Sequence, residues 1–336
     1  MNHTNRLRLL TALMGLIIVL SGIVSSDENA VALTEDLSIG VGYGDENLMF
    51  GSVSDIQLDQ EENIYILDGK NDRIQIFNSQ GEFLRSIPIQ KGQGPKEVSM
   101  LLGFAVHPDG FISLYDLAGR KILNFDKMGA YHSYFKLDFQ AMDIKSYKKG
   151  QIAILGLNND LGIHIYSLSG EWLSSFAEPF PLPSKLSQYK DSPFSQFPMK
   201  FSSSGDGTLF LLNPHKYEIR VYENGQLSGK IKGRSDFFRP LTIQGGKGRG
   251  GQTMGIIFPT VSVLESKEKT FITIKGLPVL GQEEIKSQMQ VYEDQKLLHS
   301  QFIEGFPTAV DSEGRLYFSD SKEGFPVMKR CKILFK

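Results

Sequence analysis

Cysteine is all but missing from this chain: Cys331 is the one instance in 336 residues. An internal disulfide and a cysteine zinc site are therefore excluded. Net charge is missing too. Thirty-six Lys and Arg stand against 38 Asp and Glu, a formal charge of −2, which removes any global case for nucleic acid or an anionic membrane surface. His107, His132, His164, His215 and His299 are scattered, and no pair has metal-ligand spacing. There is no Gly-x-Ser-x-Gly elbow, no Gly-x₄-Gly-Lys-Ser/Thr loop and no dinucleotide fingerprint. Long helical patterns are few. What is present is ordinary for a folded protein, at 40% hydrophobic and 22% charged residues, but rich in Gly, Phe and Tyr. That balance points to a turn-rich β protein, long enough for one large all-β domain or two smaller ones.

The N-terminus reads as a targeting segment. Arg6 and Arg8 precede an apolar run from Leu9 to Val24, followed by polar Ser-Ser-Asp-Glu-Asn. The run is short for a membrane span, which needs about 20 residues. Residues 1–26 are thus a signal peptide or an N-terminal anchor, with cleavage after Val24-Ser25-Ser26 or Ala30-Val31-Ala32. Leu20-Ser21-Gly22-Ile23 resembles a bacterial lipoprotein signal, but Ile23 stands where the lipid-bearing cysteine must be, so lipidation there is chemically impossible. The rest of the chain is placed in the periplasm or secreted, with membrane attachment only if this segment is not cleaved.

Internal similarity dominates the remainder of the chain. One apolar strand recurs as IYILD (64–68), ISLYD (112–116), IAILG (152–156), LFLLN (209–213), FITIK (271–275) and LYFSD (316–320). A second strand, next along the chain, recurs as RIQIFN (73–78), KILNFD (121–126), GIHIYS (162–167), EIRVYE (218–223), QMQVYE (288–293) and KRCKILFK (329–336), with a late aromatic at Phe77, Phe125, Tyr166, Tyr222, Tyr292 and Phe335. The segments after it, such as NSQG (78–81), DKMG (126–129) and SLSG (167–170), open on a short polar residue and close on Gly, which is β-turn chemistry. Six copies of a four-strand unit, roughly 38 to 60 residues apart, fit a six-bladed β-propeller of antiparallel blades over residues 31–336. Both alternate faces of IYIL are apolar, as a sheet buried on both sides requires. The sixth copy ends at Lys336 without a fourth strand. LTEDLSIG (33–40) resembles the fourth strand GEFLRSIP and has no blade of its own, so the sequence predicts that this N-terminal strand closes the last blade.

These repeats resemble NHL-type repeats of six-bladed propellers. Blade one carries the pattern as Asp68, Asn71, Arg73-Ile74 and Phe77, and GEFLRSI with KGQGPKE (91–97) resembles the bacterial secreted members. Blades three to five lack the Asp and the Arg. The resemblance implies the propeller fold; for function it implies either a binding sensor or scaffold, or an enzyme of the gluconolactonase or amidating-lyase type with a metal in the central channel.

Insertions locate the candidate function. In such blades the 1–2 and 3–4 turns lie on one face, and the 2–3 turns with the blade-to-blade crossovers on the other. The long segments 88–102, 178–198 and 232–259 are crossovers, and 276–288 is a 2–3 connection, so all four fall on one face. The 232–259 segment is the most pointed. Arg234, Arg239, Lys247 and Arg249 surround Phe237 and Phe238, and the Gly-rich stretch between has backbone freedom to wrap a phosphate, carboxylate or acidic glycan. A second candidate is the column Asp68, Asp116, Asn213 and Asp320, whose oxygens would hold calcium or zinc if they converge on the channel mouth. Asx-type bonding within each turn explains the same residues without an ion. Because the identifiable polar residues are mostly those the repeat supplies, the sequence favours a monomeric, cofactor-free, non-enzymatic platform. It would recognise a protein, peptide or glycan, with a metal-dependent lactonase or lyase as the alternative.

Overall fold

The computed structural model describes residues 31–190, 192–248, 251–267, 269–276 and 286–335. Residues 1–30, on which the targeting reading falls, and most of the 276–288 connection lie outside these. Within Leu33–Ile333 the chain forms a propeller of six four-stranded antiparallel blades. Blade one is Asp55–Leu58, Ile64–Asp68, Arg73–Phe77 and Phe83–Pro88 (β2–β5); blade two is Leu101–Val106, Ile112–Asp116, Lys121–Phe125 and Tyr131–Lys136 (β6–β9). Blade three is Asp143–Lys148, Gln151–Asn158, Leu161–Ser167 and Trp172–Phe176 (β10–β13); blade four is Ser202–Ser203, Thr208–Leu212, Glu218–Glu223 and Gln226–Lys232 (β14–β17). After a hairpin of Thr242–Gly248 and Gly251–Ile257 (β18, β19) comes blade five: Val261–Ser266, Lys269–Lys275, Lys286–Glu293 and Lys296–Glu304 (β20–β23). Blade six takes Pro307–Val310, Leu316–Lys322 and Phe325–Phe335 (β24–β26), and its fourth strand is Val31–Ile39 (β1).

The two-faced strands behave as their composition requires. In β3, Tyr65 and Leu67 pack with Phe104, Val106 and Leu114 of blade two, whereas Ile64 and Ile66 pack with Tyr317 and Met328 of blade six. In β11, Ile152 and Ile154 face blade two, and Ala153 and Leu155 face Leu209 and Leu211 of blade four. Every second residue of a blade's middle strands therefore belongs to a different inter-blade core. Burying each such aliphatic or aromatic side chain contributes roughly 1.5–3 kcal/mol.

The turns agree with the sequence reading. Asn78 Oδ1 accepts the N–H groups of Gln80 and Glu82, and Asp126 Oδ1 those of Met128 and Ala130. Gly81 and Gly129 close these turns at φ of 85° and 84°, where a Cβ would be strained. Ring closure is also as the sequence predicts: Asp36 of β1 pairs with Arg330 of β26 at 2.9 Å, and Arg330 also donates to the Ser79 carbonyl at 2.6 Å. About half of the 232–259 crossover is the β18–β19 hairpin, in register from Thr242↔Ile257 to Gly248↔Gly251.

His107 is fully buried within blade two. Ser113 Oγ donates to Asn124 Oδ1 at 2.6 Å, so the 2.9 Å contact between His107 Nε2 and Ser113 Oγ requires the Nε2–H tautomer. Nδ1 has no partner. Burial accordingly pushes the imidazole down to about 4.

This packing predicts two outcomes. Deleting residues 31–40 removes an edge strand and the Asp36–Arg330 pair, and should lower stability by several kcal/mol; unchanged thermal unfolding would rule out the closure. The unfolded His107 ring titrates near 6.5 and the folded one near 4, so acid protonates the unfolded chain first. Its contribution is complete above pH 6.5 and is lost as pH falls towards 4. Urea unfolding should show wild type losing about 3 kcal/mol across that window relative to His107→Gln, and parallel pH profiles would refute this.

Candidate functional site

Antiparallel order fixes the faces. Each crossover leaves a fourth strand and reaches the next first strand at the same end of the blades as the 2–3 turns. The insertions therefore share one face, and among the described residues two of them, 88–102 and 178–198, are built rather than loose. In the 178–198 crossover, a 3₁₀ helix spans Ser184–Tyr189 and a short helix spans Pro193–Gln196. Phe180 and Phe197 are buried under it, the Arg220 guanidinium lies 3.9 Å from the Phe180 ring centroid, and Arg220 Nη1 donates to the Glu178 carbonyl at 2.6 Å. The 88–102 crossover is held by a Lys91–Asp72 ion pair at 2.9 Å and by Glu97, which accepts the Gly94 N–H at 2.9 Å.

The structure divides the predicted basic loop. Phe238 is buried and stacks on Tyr217, with ring centroids 5.6 Å apart. Phe237 lies 5.3 Å from the Phe302 ring and is half-buried. Both pack as anchors of the crossover; Phe238 has no surface free for a ligand, whereas Phe237 keeps part of its ring exposed beside exposed Phe302. Arg234 and Arg239 are exposed; Arg239 Nη1 bonds to the Asp236 carbonyl. Lys247 falls in β18, and Arg249 lies outside the described residues.

The Asp column sits at the 2–3 turns, but each member works locally. Asp68 Oδ1 accepts the N–H groups of Gly51 and Ser52 at 3.0 and 2.9 Å, and Oδ2 accepts Asn71 Nδ2 at 2.7 Å and Arg73 Nε at 3.1 Å. Asp116 repeats the clip on Ser99 and Met100 at 3.2 and 2.8 Å, with Lys121 Nζ at 3.7 Å. Asn213 caps its own turn at His215 N, and Asp320 takes Ser321 N and Lys329 Nζ. The two leading members thus reach back to the backbone that feeds the first strand, in place of the turn-internal Asx bonding that the sequence suggests. Three of the four carry a cationic neighbour, which opposes a metal ion. Among the described residues no group of three or more His, Cys, Asp or Glu is arranged to hold one. The donor set does not fit calcium or zinc.

Sequence reasoning invoked the central channel but assigned none of its first-strand wall. First strands of all six blades line a cavity of about 580 Å³ that opens among the 1–2 turns, with Asp55, Gln57, Lys145, Asp206 and Glu265 on its wall. A second cavity of about 430 Å³, near the 2–3 face, shares Asp55 and adds Asp143 and Lys200. Asp143 is buried; its Oδ2 lies 3.4 Å from Lys145 Nζ and accepts the Phe201 N–H at 3.3 Å. Burial alone would lower the Lys145 ammonium, but the Asp143 and Asp55 carboxylates outweigh it and hold it above the ordinary lysine range. At the rim, burial and then the Asp206 charge push the Glu265 carboxyl up to about 7. The signal was present in the repeated Asp-Ile of DIQL and DIKS, polar on alternate positions where the IYIL of β3 is apolar on both faces.

Comparison with known proteins agrees with this architecture. A family model, DUF5128, described as a 6-bladed beta-propeller, matches residues 44–160. None of the curated proteins matches the chain. Among solved structures, a DUF4221 member from Bacteroides vulgatus superposes with a TM-score of 0.60 at 12% identity, covering 92% of this chain and 100% of the other. A Bacteroides fragilis protein described as a "Putative exported protein" gives 0.59 at 14% identity, covering 92% and 98%. At these identities the likeness is one of fold.

The Asp68 clip is testable. Asp68→Ala strands two backbone N–H groups and the half-buried Arg73, and should cost about 3 kcal/mol. The loss should be the same with calcium or with chelator in thermal unfolding. A calcium-dependent stabilisation of wild type that the variant lacks would restore the metal reading.

Proposed function

We propose that the chain is an exported, NHL-type propeller that acts as a monomeric, non-enzymatic binding platform, engaging an anionic partner through its crossover face. The observation that carries this reading is the pair of elaborated crossovers on that face, 178–198 and 232–259, anchored by Phe180, Phe197, Phe237 and Phe238. A rigid scaffold with elaborated segments on one side is how loops carry recognition. Exposed Arg234 and Arg239, with Lys230 and Lys232 nearby, give the face its positive end. Lys247 and Arg249 extend that charge in sequence. An acidic glycan or an acidic protein segment is the chemistry such a surface meets.

Export is supported by the N-terminal pattern of Arg6, Arg8 and the Leu9–Val24 run, and by the description of the Bacteroides fragilis fold neighbour as exported. The lactonase or lyase alternative gains no support from the Asp column, whose oxygens are committed to backbone and to cations.

The test uses heparin as the probe. Wild type should be retained on immobilised heparin and elute with salt. Joint neutralisation of Arg234, Arg239, Lys247 and Arg249 to Gln should abolish retention while leaving the melting temperature within about 2 °C, as surface changes do. Equal elution of the two proteins would overturn the assignment of this face.

A further inference from the structure

Two carboxylates on the wall of the channel cavity share one hydroxyl and have no cation. Asp206 stands on the 1–2 turn of blade four and Glu265 near the end of β20. The Ser204 hydroxyl donates to Asp206 Oδ1 at 2.5 Å and also reaches the Glu265 carboxyl. A hydroxyl has one proton to give, and at 2.5 Å it goes to Asp206, which also accepts Thr208 N at 2.9 Å. No Lys, Arg or His among the described residues pairs with either carboxylate. Lys145 lines the same cavity, but it is paired with Asp143 at 3.4 Å and faced by Asp55. Lys148, at the end of β10, is spent on Asn224 Oδ1 and on the Tyr147 ring. The charges that act on Glu265 are those of Asp206 and Glu223, both like its own. The chain therefore leaves this pair unneutralised.

A buried hydroxyl beside the pair also lacks a partner. Ser146 is more than nine-tenths buried, and its Oγ makes no hydrogen bond. It lies opposite Ile152 in the β10–β11 register, and Ile152 packs towards blade two, so the hydroxyl points to the side where Val106 and Pro108 form the cavity wall. Its own carbonyl accepts Ser203 Oγ at 2.5 Å, one residue from Ser204. An orphaned hydroxyl is costly unless something else supplies its bond. The acceptor set selects what that is. Two carboxylates fall short of the six to eight oxygens that calcium takes, and no aromatic side chain among the described residues lines the cavity to cage a quaternary ammonium. A primary ammonium has three N–H donors, matched by two carboxylates and one hydroxyl oxygen. Leu264 and Val310, half-buried on the same wall, suit an aliphatic body, and a volume of about 580 Å³ is that of a small-molecule site.

We propose that this sector of the channel mouth binds a primary aliphatic ammonium ion between Asp206 and Glu265, with Ser146 as its third acceptor. Burial alone would raise the Asp206 carboxyl, but its bonds from Ser204 and Thr208 outweigh that and hold it below the ordinary range. Burial, then the Asp206 and Glu223 charges, put Glu265 at about 7. Only the ionised Glu265 accepts from an ammonium, so affinity is full above pH 7 and falls roughly tenfold for each unit below it. A free amine and a lysine side chain share this chemistry. The site opens among the 1–2 turns, away from the crossover face, so heparin retention and ammonium binding stand or fall separately.

Isothermal titration calorimetry of the full chain with n-butylammonium, N-acetyl-lysine amide and tetramethylammonium tests this. n-Butylammonium should bind, and tetramethylammonium at least tenfold more weakly. Binding of n-butylammonium without the lysine derivative assigns a free amine; binding of both assigns a lysine side chain as well. Between about pH 8 and about pH 6, n-butylammonium should lose roughly tenfold in affinity. Glu265→Gln, which keeps the shape of the side chain, should weaken binding at least tenfold at the upper pH and remove the pH dependence. If that variant does not fold, the wild-type pH profile carries the test. No binding of n-butylammonium at millimolar concentration, equal binding of tetramethylammonium, unchanged affinity across that pH range, or wild-type affinity in Glu265→Gln would overturn the proposal.

Discussion

Everything in this molecule depends on sheets that are apolar on both faces. A sheet with one wet face is stable against a single partner, but β3, β7 and β11 have no wet face to offer. Neighbouring residues such as Tyr65 and Ile66 belong to different cores, one shared with blade two and one with blade six. No blade can satisfy this alone. The arrangement that satisfies it for every blade at once, without leaving an apolar face in water, is a closed ring.

Closure by the first strand is a consequence of that demand. An open ring would leave blade six with a bare edge and Tyr317 and Met328 without the blade-one side chains that cover them. Joining Asp36 to Arg330 spans 294 residues, and loop-closure entropy grows only as the logarithm of length, about 3 kcal/mol more than for a ten-residue hairpin. Several strand hydrogen bonds and a charge-assisted pair offset that cost. Because β26 is the last strand of the propeller, the N-terminal residues must wait for it, so ring closure comes late in folding.

The fold was legible because packing repeats. The second strands, the third strands with their late aromatics, the Gly-closed turns and the unpaired LTEDLSIG segment all report the same blade, and the structure places each accordingly. The site was less legible, for a reason particular to the architecture. Phe237 and Phe238 read as ligand contacts because they sit among cations in an insertion, yet an insertion on a disc needs apolar feet, and both pack as such feet. Asp68 and Asp116 read as turn caps, whereas their partners are 16 and 17 residues back in the chain. Inner strands stayed opaque because their inward positions depend on the register with the second strand, such as Asp55↔Leu67 and Asp143↔Leu155, which only the assembled sheet supplies.

That register also explains where chemistry is allowed. Residues of the second and third strands are committed to inter-blade cores, and a charge placed there would be buried without a partner, at a cost of several kcal/mol. The Asp column escapes this by binding backbone N–H groups and cations, which makes it part of the scaffold and removes it from use. First strands have one edge that pairs with no neighbouring strand. There the repeat relaxes, and blade three can carry Lys145 where blade one carries Gln57, or blade five Glu265, without disturbing a core. Crossovers have the same freedom at the disc face. Departures from the repeat are therefore the informative residues in a propeller, and in this chain they collect in two places, the inner edge of the ring and the segments between blades.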